Sequence, residues 1–299
     1  MTPSGSGPGV GRCEQQSLGR VSLRLIRLLF WCASAIALAF AFLFVSSSAG
    51  AAPVWASAST ATVHPGVQTF TDGAQCTANF IYADASNVYI GQAAHCAGTG
   101  GNTETNGCTS ASLPLGTEVD VTGASHPGTL VYSSWLEMQA EHETDADTCQ
   151  YNDLALVRLD PSDVGSTNPS VPFFGGPTGV GVAANLGDRV YSYGNSELRG
   201  GITQLSPKYG ISLGNTDGWS TAVYTVTPGI PGDSGSGLMD AQGRAIGVLS
   251  TLELAPHPAG NNFGDLAHEL AYLHTHTSFS GVQVVNGTQP FAVPLLPLG

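Results

Sequence analysis

From Thr77 onward the chain is a succession of short apolar and β-branched runs, each closed off by glycine, proline, asparagine or aspartate. The runs are Thr77–Tyr82, Asn87–Cys96, Gly116–Gly123, Leu154–Leu159, Arg189–Gly194, Thr221–Val226 and Ala245–Thr251. Many short runs with turn residues between them predict a sandwich or barrel. One stretch breaks the pattern. In Gly264–His276 (GDLAHELAYLHTH), Leu266, Leu270 and Leu273 share one helical face and Asp265 can cap the first turn, which predicts a helix near 265–276. Proline, glycine and serine crowd Pro161–Gly181, which reads as a connection between two domains. The fold class is therefore all-β with a C-terminal helix. No period of about 20 to 50 residues recurs, which excludes a solenoid or propeller.

Composition sharpens this picture. Only 10% of the residues are charged, against a usual quarter or so, while there are 39 glycines and 18 prolines, as a turn-rich β protein requires. The first 51 residues are of another kind. Arg12, Arg20, Arg24 and Arg27 precede an apolar run of 18 residues, Leu28–Val45, followed by the small-residue exits Ala49–Ala51 and Ala56–Ala58. A positive start, an apolar centre and an A-x-A exit predict a secretory signal; the run is also long enough to remain as a membrane anchor. Either way the arginines stay inside and the remainder is exported. The expected organisation is a leader over 1–51, a short N-terminal segment over 52–65, and two β domains over 66–165 and 166–299.

The exported part carries 5 basic and 21 acidic residues. Phosphate backbones would repel it, so nucleic acid is excluded as a partner. Its four cysteines, Cys76, Cys96, Cys108 and Cys149, are an even set in an exported chain and predict two disulfides, with three pairings open. Zinc sites of closed type use CxxC pairs, which this sequence lacks. In the helix, His268-Glu269 is followed by Tyr272 where a zincin needs its second histidine, so His268, His274 and His276 read as surface and rim residues. No metal and no cofactor is expected.

Three further segments carry candidate chemistry. Pro228–Gly237 (PGIPGDSGSG) surrounds Ser234 with glycines. Such a loop is the stuff of any tight turn, but Gly232 also allows the amides of Gly232 and Ser234 to point into one space, where they could hold an oxyanion. His95, in GQAAHC at a strand end, has the unperturbed pKa of a general base. Asp153 opens the apolar run LALVRL, where it could accept the imidazole Nδ1–H. Singly, each has a bland reading as a turn, rim or strand-opening residue. Together they supply nucleophile, base, orienter and oxyanion donors.

AAHC, NDLALVRL and GDSGSG, in the order His, Asp, Ser, resemble the three active-site motifs of the chymotrypsin-like (trypsin-fold) serine peptidases, bacterial secreted type. AIGVLS resembles that family's substrate-binding strand, and the likeness runs from about Val67 to the end. It implies two antiparallel six-stranded β-barrels with the site in the cleft between them, and the C-terminal helix. It also implies His95 as base and then acid, Asp153 as its partner, Ser234 as acyl-forming nucleophile, and Gly232 and Ser234 as the oxyanion hole. The family's histidine-loop disulfide maps onto Cys76–Cys96, and with it Cys108–Cys149. Ser250 and Thr251 match the strand that pairs with extended substrate.

The chain order excludes subtilisin-like enzymes (Asp, His, Ser) and α/β-hydrolases (Ser, acid, His), and Ser236 spoils the G-x-S-x-G elbow. Pro228 falls at the family's pocket floor and Leu252 in its wall, so small or medium uncharged side chains are expected in the pocket. No Lys or Arg lies between Arg27 and Arg158, so activation by a cut after a basic residue is not expected. Asp233 then needs another partner if buried, with Arg189 and Arg199 as candidates. The expectation is a secreted, monomeric serine endopeptidase acting on protein or peptide, with membrane contact only through an uncleaved leader. A silent binding protein on the same fold and an esterase using the same residues are the rivals.

Overall fold

Successive side chains of a strand point to opposite faces, so a strand buried along its whole length must separate two cores. The computed structural model, which describes residues 52–101, 104–216, 218–253, 255 and 257–294, has one such strand and beside it one buried up to its last residue. In β4 (Val88–Ala93) all six residues are buried, and Leu154 to Val157 of β7 (Leu154–Arg158) are buried too. Val88, Ile90, Ala155 and Val157 face one cluster; Tyr89, Ala93, Leu154 and Leu156 face another, shared with Met239, Val248 and the helix leucines Leu266, Leu270 and Leu273. These two strands are the wall between the inside of the first sheet and the rest of the molecule. The leader over 1–51, with its apolar run, lies outside the described residues; among those described, no helix is long and apolar enough to cross a membrane.

The first sheet also contains β1 (Gln68–Thr71), β2 (Ala74–Thr77), β3 (Ile81–Ala83), β5 (Glu118–Val121), β6 (Gly128–Ser133) and β14 (Gln283–Val284), in the order β14-β3-β4-β7-β6-β5-β1-β2. β1 and β5 bury alternate residues, as half-covered strands do. Only Ala78–Phe80 separate β2, at one end of that order, from β3, next to the other. The sheet therefore curls on itself. The run read as one strand, Thr77–Tyr82, is thus shared between two, bent where Asn79 Oδ1 accepts the Phe80 N–H (2.7 Å) and the Tyr82 hydroxyl (2.9 Å). This division and the addition of β14 bring the strand count to eight.

The second sheet is the expected closed six-stranded barrel, in the order β10-β13-β12-β11-β8-β9. Its strands are β8 (Arg189–Tyr193), β9 (Pro207–Thr216), β10 (Ser220–Thr225), β11 (Gly237–Asp240), β12 (Ala245–Glu253) and β13 (Gly260–Asp265). Val190, Val223, Leu238, Ile246, Leu249 and Phe263 fill it. Pro161–Gly181 runs between β7 and β8, that is, from one sheet to the other. Two short helices, α1 (Ser134–Ala140) and α2 (Ala146–Tyr151), lie between β6 and β7, and α3 (Leu266–His276) follows β13. Asp265 caps α3 by accepting the His268 N–H, as its sequence predicts. Cys76 is bonded to Cys96 and Cys108 to Cys149.

A buried charge cluster anchors one end of the second barrel. Asp233, in the loop between β10 and β11, is fully buried. Its Oδ1 accepts the Ser196 N–H (3.0 Å), and its Oδ2 accepts from Arg199 Nη2 (2.5 Å), Lys208 Nζ (3.1 Å) and the Ile230 N–H (3.1 Å). Of the two arginines proposed from sequence, Arg199 is the partner and Arg189 is exposed. The second cation, Lys208, is the only lysine of the chain and is 1% exposed. Its burial pulls the ammonium down to about 8, with the Asp233 charge opposing and the Arg199 charge adding to the fall.

Replacing Lys208 by Met removes one of two cations from a buried carboxylate and should cost about 1–3 kcal/mol at neutral pH. An unfolded lysine titrates near 10.4, so between about 8 and 10 the unfolded chain holds the extra proton and this site's contribution to stability rises with pH. Below about 8 the penalty is present in full. Urea unfolding of wild type and Lys208→Met across pH 7.5–10 should show their difference growing by on the order of 2 kcal/mol. A constant difference would mean that Lys208 titrates normally.

Candidate active site

The β4–β7 ladder sets two polar residues side by side. Ala93 is in register with Leu154, so the residues just beyond β4 meet those just before β7. Ala94–Ala97 form a single 3-10 turn, with Ala94, Cys96 and Ala97 buried and Cys96 tied to Cys76 of β2. His95 stands on this turn. The Ala94 N–H donates to the Asp153 carbonyl (2.8 Å), the His95 N–H to Asp153 Oδ1 (2.9 Å), and His95 Nδ1–H to Asp153 Oδ2 (2.7 Å). Ser250 Oγ, from β12 of the other sheet, donates to the same Oδ2 (2.7 Å). Asp153 is 2% exposed, so these donors replace the water it has lost.

Because a carboxylate only accepts, it fixes the proton on Nδ1 and leaves Nε2 as the acceptor of the ring. Desolvation pulls the His95 pKa down, but the charge of Asp153 and its hydrogen bond together outweigh that, and the imidazole ends above its ordinary value. The ring is a quarter exposed, which leaves it accessible.

Ser234 sits between Gly232 and Gly235, with φ of +93° and +85°, a left-handed backbone that glycine adopts without strain. The loop is sewn to β2. The Gly232 carbonyl accepts from Gln75 Nε2 (2.9 Å) and Thr77 Oγ1 (2.8 Å), and the Ser234 carbonyl accepts the Thr77 N–H (2.8 Å). With both carbonyls turned towards the first sheet, the amides of Gly232 and Ser234 donate to no protein group among the described residues. Gly232 also has to be small. A Cβ there would strike the side chain of Gln75.

His95, Asp153 and Ser234 line one cleft of about 560 Å³, together with Gly232, Ser250, Thr251 and Leu252. Pro228 does not line it: its carbonyl is held by Arg199 Nη2 (2.8 Å), and the wall begins with Gly229 and Ile230. Asn261 of β13 brackets Gly229, accepting its N–H (2.7 Å) and donating to its carbonyl (3.1 Å), and also lines the cleft. Leu252 is 42% exposed at its rim. Of the three helix histidines, His268 Nδ1 lies 2.9 Å from Asp265 Oδ1, His274 Nε2 donates to the Val282 carbonyl (2.7 Å), and His276 stacks on Tyr272.

Sequence reasoning passed over Lys208, Asn261 and Glu269. The Glu269 signal was present: it lies three residues after Leu266 and four before Leu273, on the stripe that predicts the helix, and it is fully buried. Its Oε1 accepts the Asp153 N–H (3.0 Å).

No curated protein matches the chain. Among solved structures, Thermobifida fusca protease A is 18% identical over 75% of this chain and 99% of its own, with a TM-score of 0.46. For Cellulomonas bogoriensis chymotrypsin the figures are 17%, 75%, 98% and 0.43. The model of the trypsin-like peptidase domain matches residues 92–248, from the last two residues of β4 through the Asp153 and Ser234 loops into β12 and just over half of the sequence. The chain therefore belongs to the trypsin-like peptidase domain family.

Proposed function

We propose that this protein is a secreted serine endopeptidase that cleaves peptide bonds through an acyl-enzyme. The observation that carries the reading is one cleft shared by a carboxylate-held imidazole, a serine, and two amides that donate to no protein group among the described residues. His95 Nε2 takes the Ser234 proton as Oγ attacks the scissile carbonyl, and returns it to the leaving amine. Asp153 holds the tautomer and stabilises the imidazolium. The amides of Gly232 and Ser234 receive the developing oxyanion. Water then hydrolyses the ester by the same route in reverse.

Extended substrate adds to β12. Beyond Val248 this strand pairs only with β13, so among the described residues the other edge of Ser250–Leu252 has no strand partner and faces the cleft. Leu252 and Asn261 give the side-chain pocket neutral walls, which favours small or medium uncharged residues. Residues 66–165 and 166–299 act as two domains, one carrying His95 and Asp153, the other Ser234, with β14 of the second range completing the first sheet. Two disulfides suit an oxidising compartment, and residues 28–45 export the chain as a signal or hold it as an anchor.

A fluorophosphonate should label Ser234, and Ser234→Ala should abolish the label. Ser234→Ala or His95→Ala should lower kcat by about three orders of magnitude or more with a modest change in KM. Folded wild-type protein that takes no label would instead be a binding protein, and labelled protein that cleaves only esters would be an esterase.

The rate should rise with pH as His95 loses its proton, with a midpoint above the ordinary imidazole value of about 6.5, because Asp153 favours the charged ring. Asp153→Asn should bring the midpoint down and reduce kcat. A rate independent of pH from 6 to 8 would remove the histidine base.

Profiling on a peptide library should show cleavage after small or medium uncharged residues. Dominant cleavage after Arg or Lys would overturn the pocket assignment.

A further inference from the structure

Asp153 has a second carboxyl group at its back. Glu269, on α3, is fully buried; its Oε1 accepts the Asp153 N–H (3.0 Å), and its Oε2 has no hydrogen-bond partner among the described residues. Gly264 of β13 makes the space: a Cβ there would stand 2.6 Å from Oε1. The titratable groups that face Glu269 are Asp153 before β7, Asp265 at the start of its own helix, Tyr82 on β3 and Tyr132 on β6. Each is negative or neutral. An ionised carboxylate in that position would be a buried charge without a counter-ion, whereas the neutral acid costs far less to bury. Burial raises the Glu269 pKa most; the Asp153 N–H opposes it, and the charges of Asp153 and Asp265 add to the rise.

Resting on the peptidase reading, we propose that Glu269 is a positioning residue for that reaction. As a neutral acid it gives the Asp153 N–H an acceptor without adding a second negative charge behind the Asp153–His95 pair. The N–H bond holds the residue that opens β7, and so the carboxylate against His95. The neutrality matters equally. A second charge there would hold the imidazole protonated to higher pH, where it cannot accept the serine proton. Glutamine copies both properties; leucine keeps the neutrality and loses the acceptor.

The test is an NMR titration of His95 in the Ser234→Ala background, with kcat/KM measured in the active background, for Glu269→Gln and Glu269→Leu. Glu269→Gln should leave the His95 midpoint within about 0.2 and kcat/KM within about threefold of the parent. Glu269→Leu should lower the midpoint by about 0.5 or more and kcat/KM by about 30-fold. A midpoint lowered by about 0.5 in Glu269→Gln would mean that the group is ionised, and would overturn the proposal. So would Glu269→Leu with both values of the parent. If Glu269→Leu does not fold, Glu269→Asp, an acid one methylene short of the Asp153 N–H, replaces it with the same expected losses. Should Ser234 take no fluorophosphonate in wild type, the peptidase reading fails, while the His95 midpoints still decide the role of Glu269.

Discussion

A carboxylate withdrawn from water must be given donors, and the arrangement around Asp153 follows from meeting that need. Its oxygens take the amide and ring N–H of His95 and the hydroxyl of Ser250. Two of these donors come from the turn after β4 and one from β12 of the other barrel. A single buried acid thus spans both sheets, and the hydrogen bonds that satisfy it also orient the imidazole. Were the β4–β7 register to slip by one residue, the side chains of the slipped strand would change faces and the His95–Asp153 pair would part.

Asp233 repeats the principle in the second barrel with different means. It draws two cations and two amides from three chain segments, and in doing so shapes the loop that carries Ser234. The loop is held from the other side by Gln75 and Thr77, which belong to the first sheet. Tension between these two attachments is avoided because Gly232 and Gly235 accept left-handed backbone. The amides left over by this wiring belong to two residues that line the cleft, and the proposed mechanism uses them there.

The parts of the fold legible in the sequence were those with local causes. Alternation and turn residues marked seven strand regions, and the spacing of Leu266, Leu270 and Leu273 with Asp265 before them marked α3. β1, β6, β9, β11, β13 and β14 fall outside those runs; the glycines, asparagines and prolines of β9 and β13 have no local β preference and hold their place through pairing in a closed barrel. α1 and α2 escaped because helices of six and seven residues show less than two turns of periodicity.

The site divides along the same line. Three motifs, read in order, named His95, Asp153 and Ser234 and excluded two other hydrolase arrangements, because chain order and residue type are properties of the polymer. Which cation meets Asp233 is not such a property: Arg199 and Lys208 reach it, and Arg189 does not, through barrel closure. The same holds for Pro228, which turned to Arg199 and left the wall to Gly229, and for Glu269, placed under Asp153 by the docking of α3. Local preference sets where a strand, turn or helix can form. Which buried polar group finds which partner is a long-range choice, made when the elements pack and the water between them is lost.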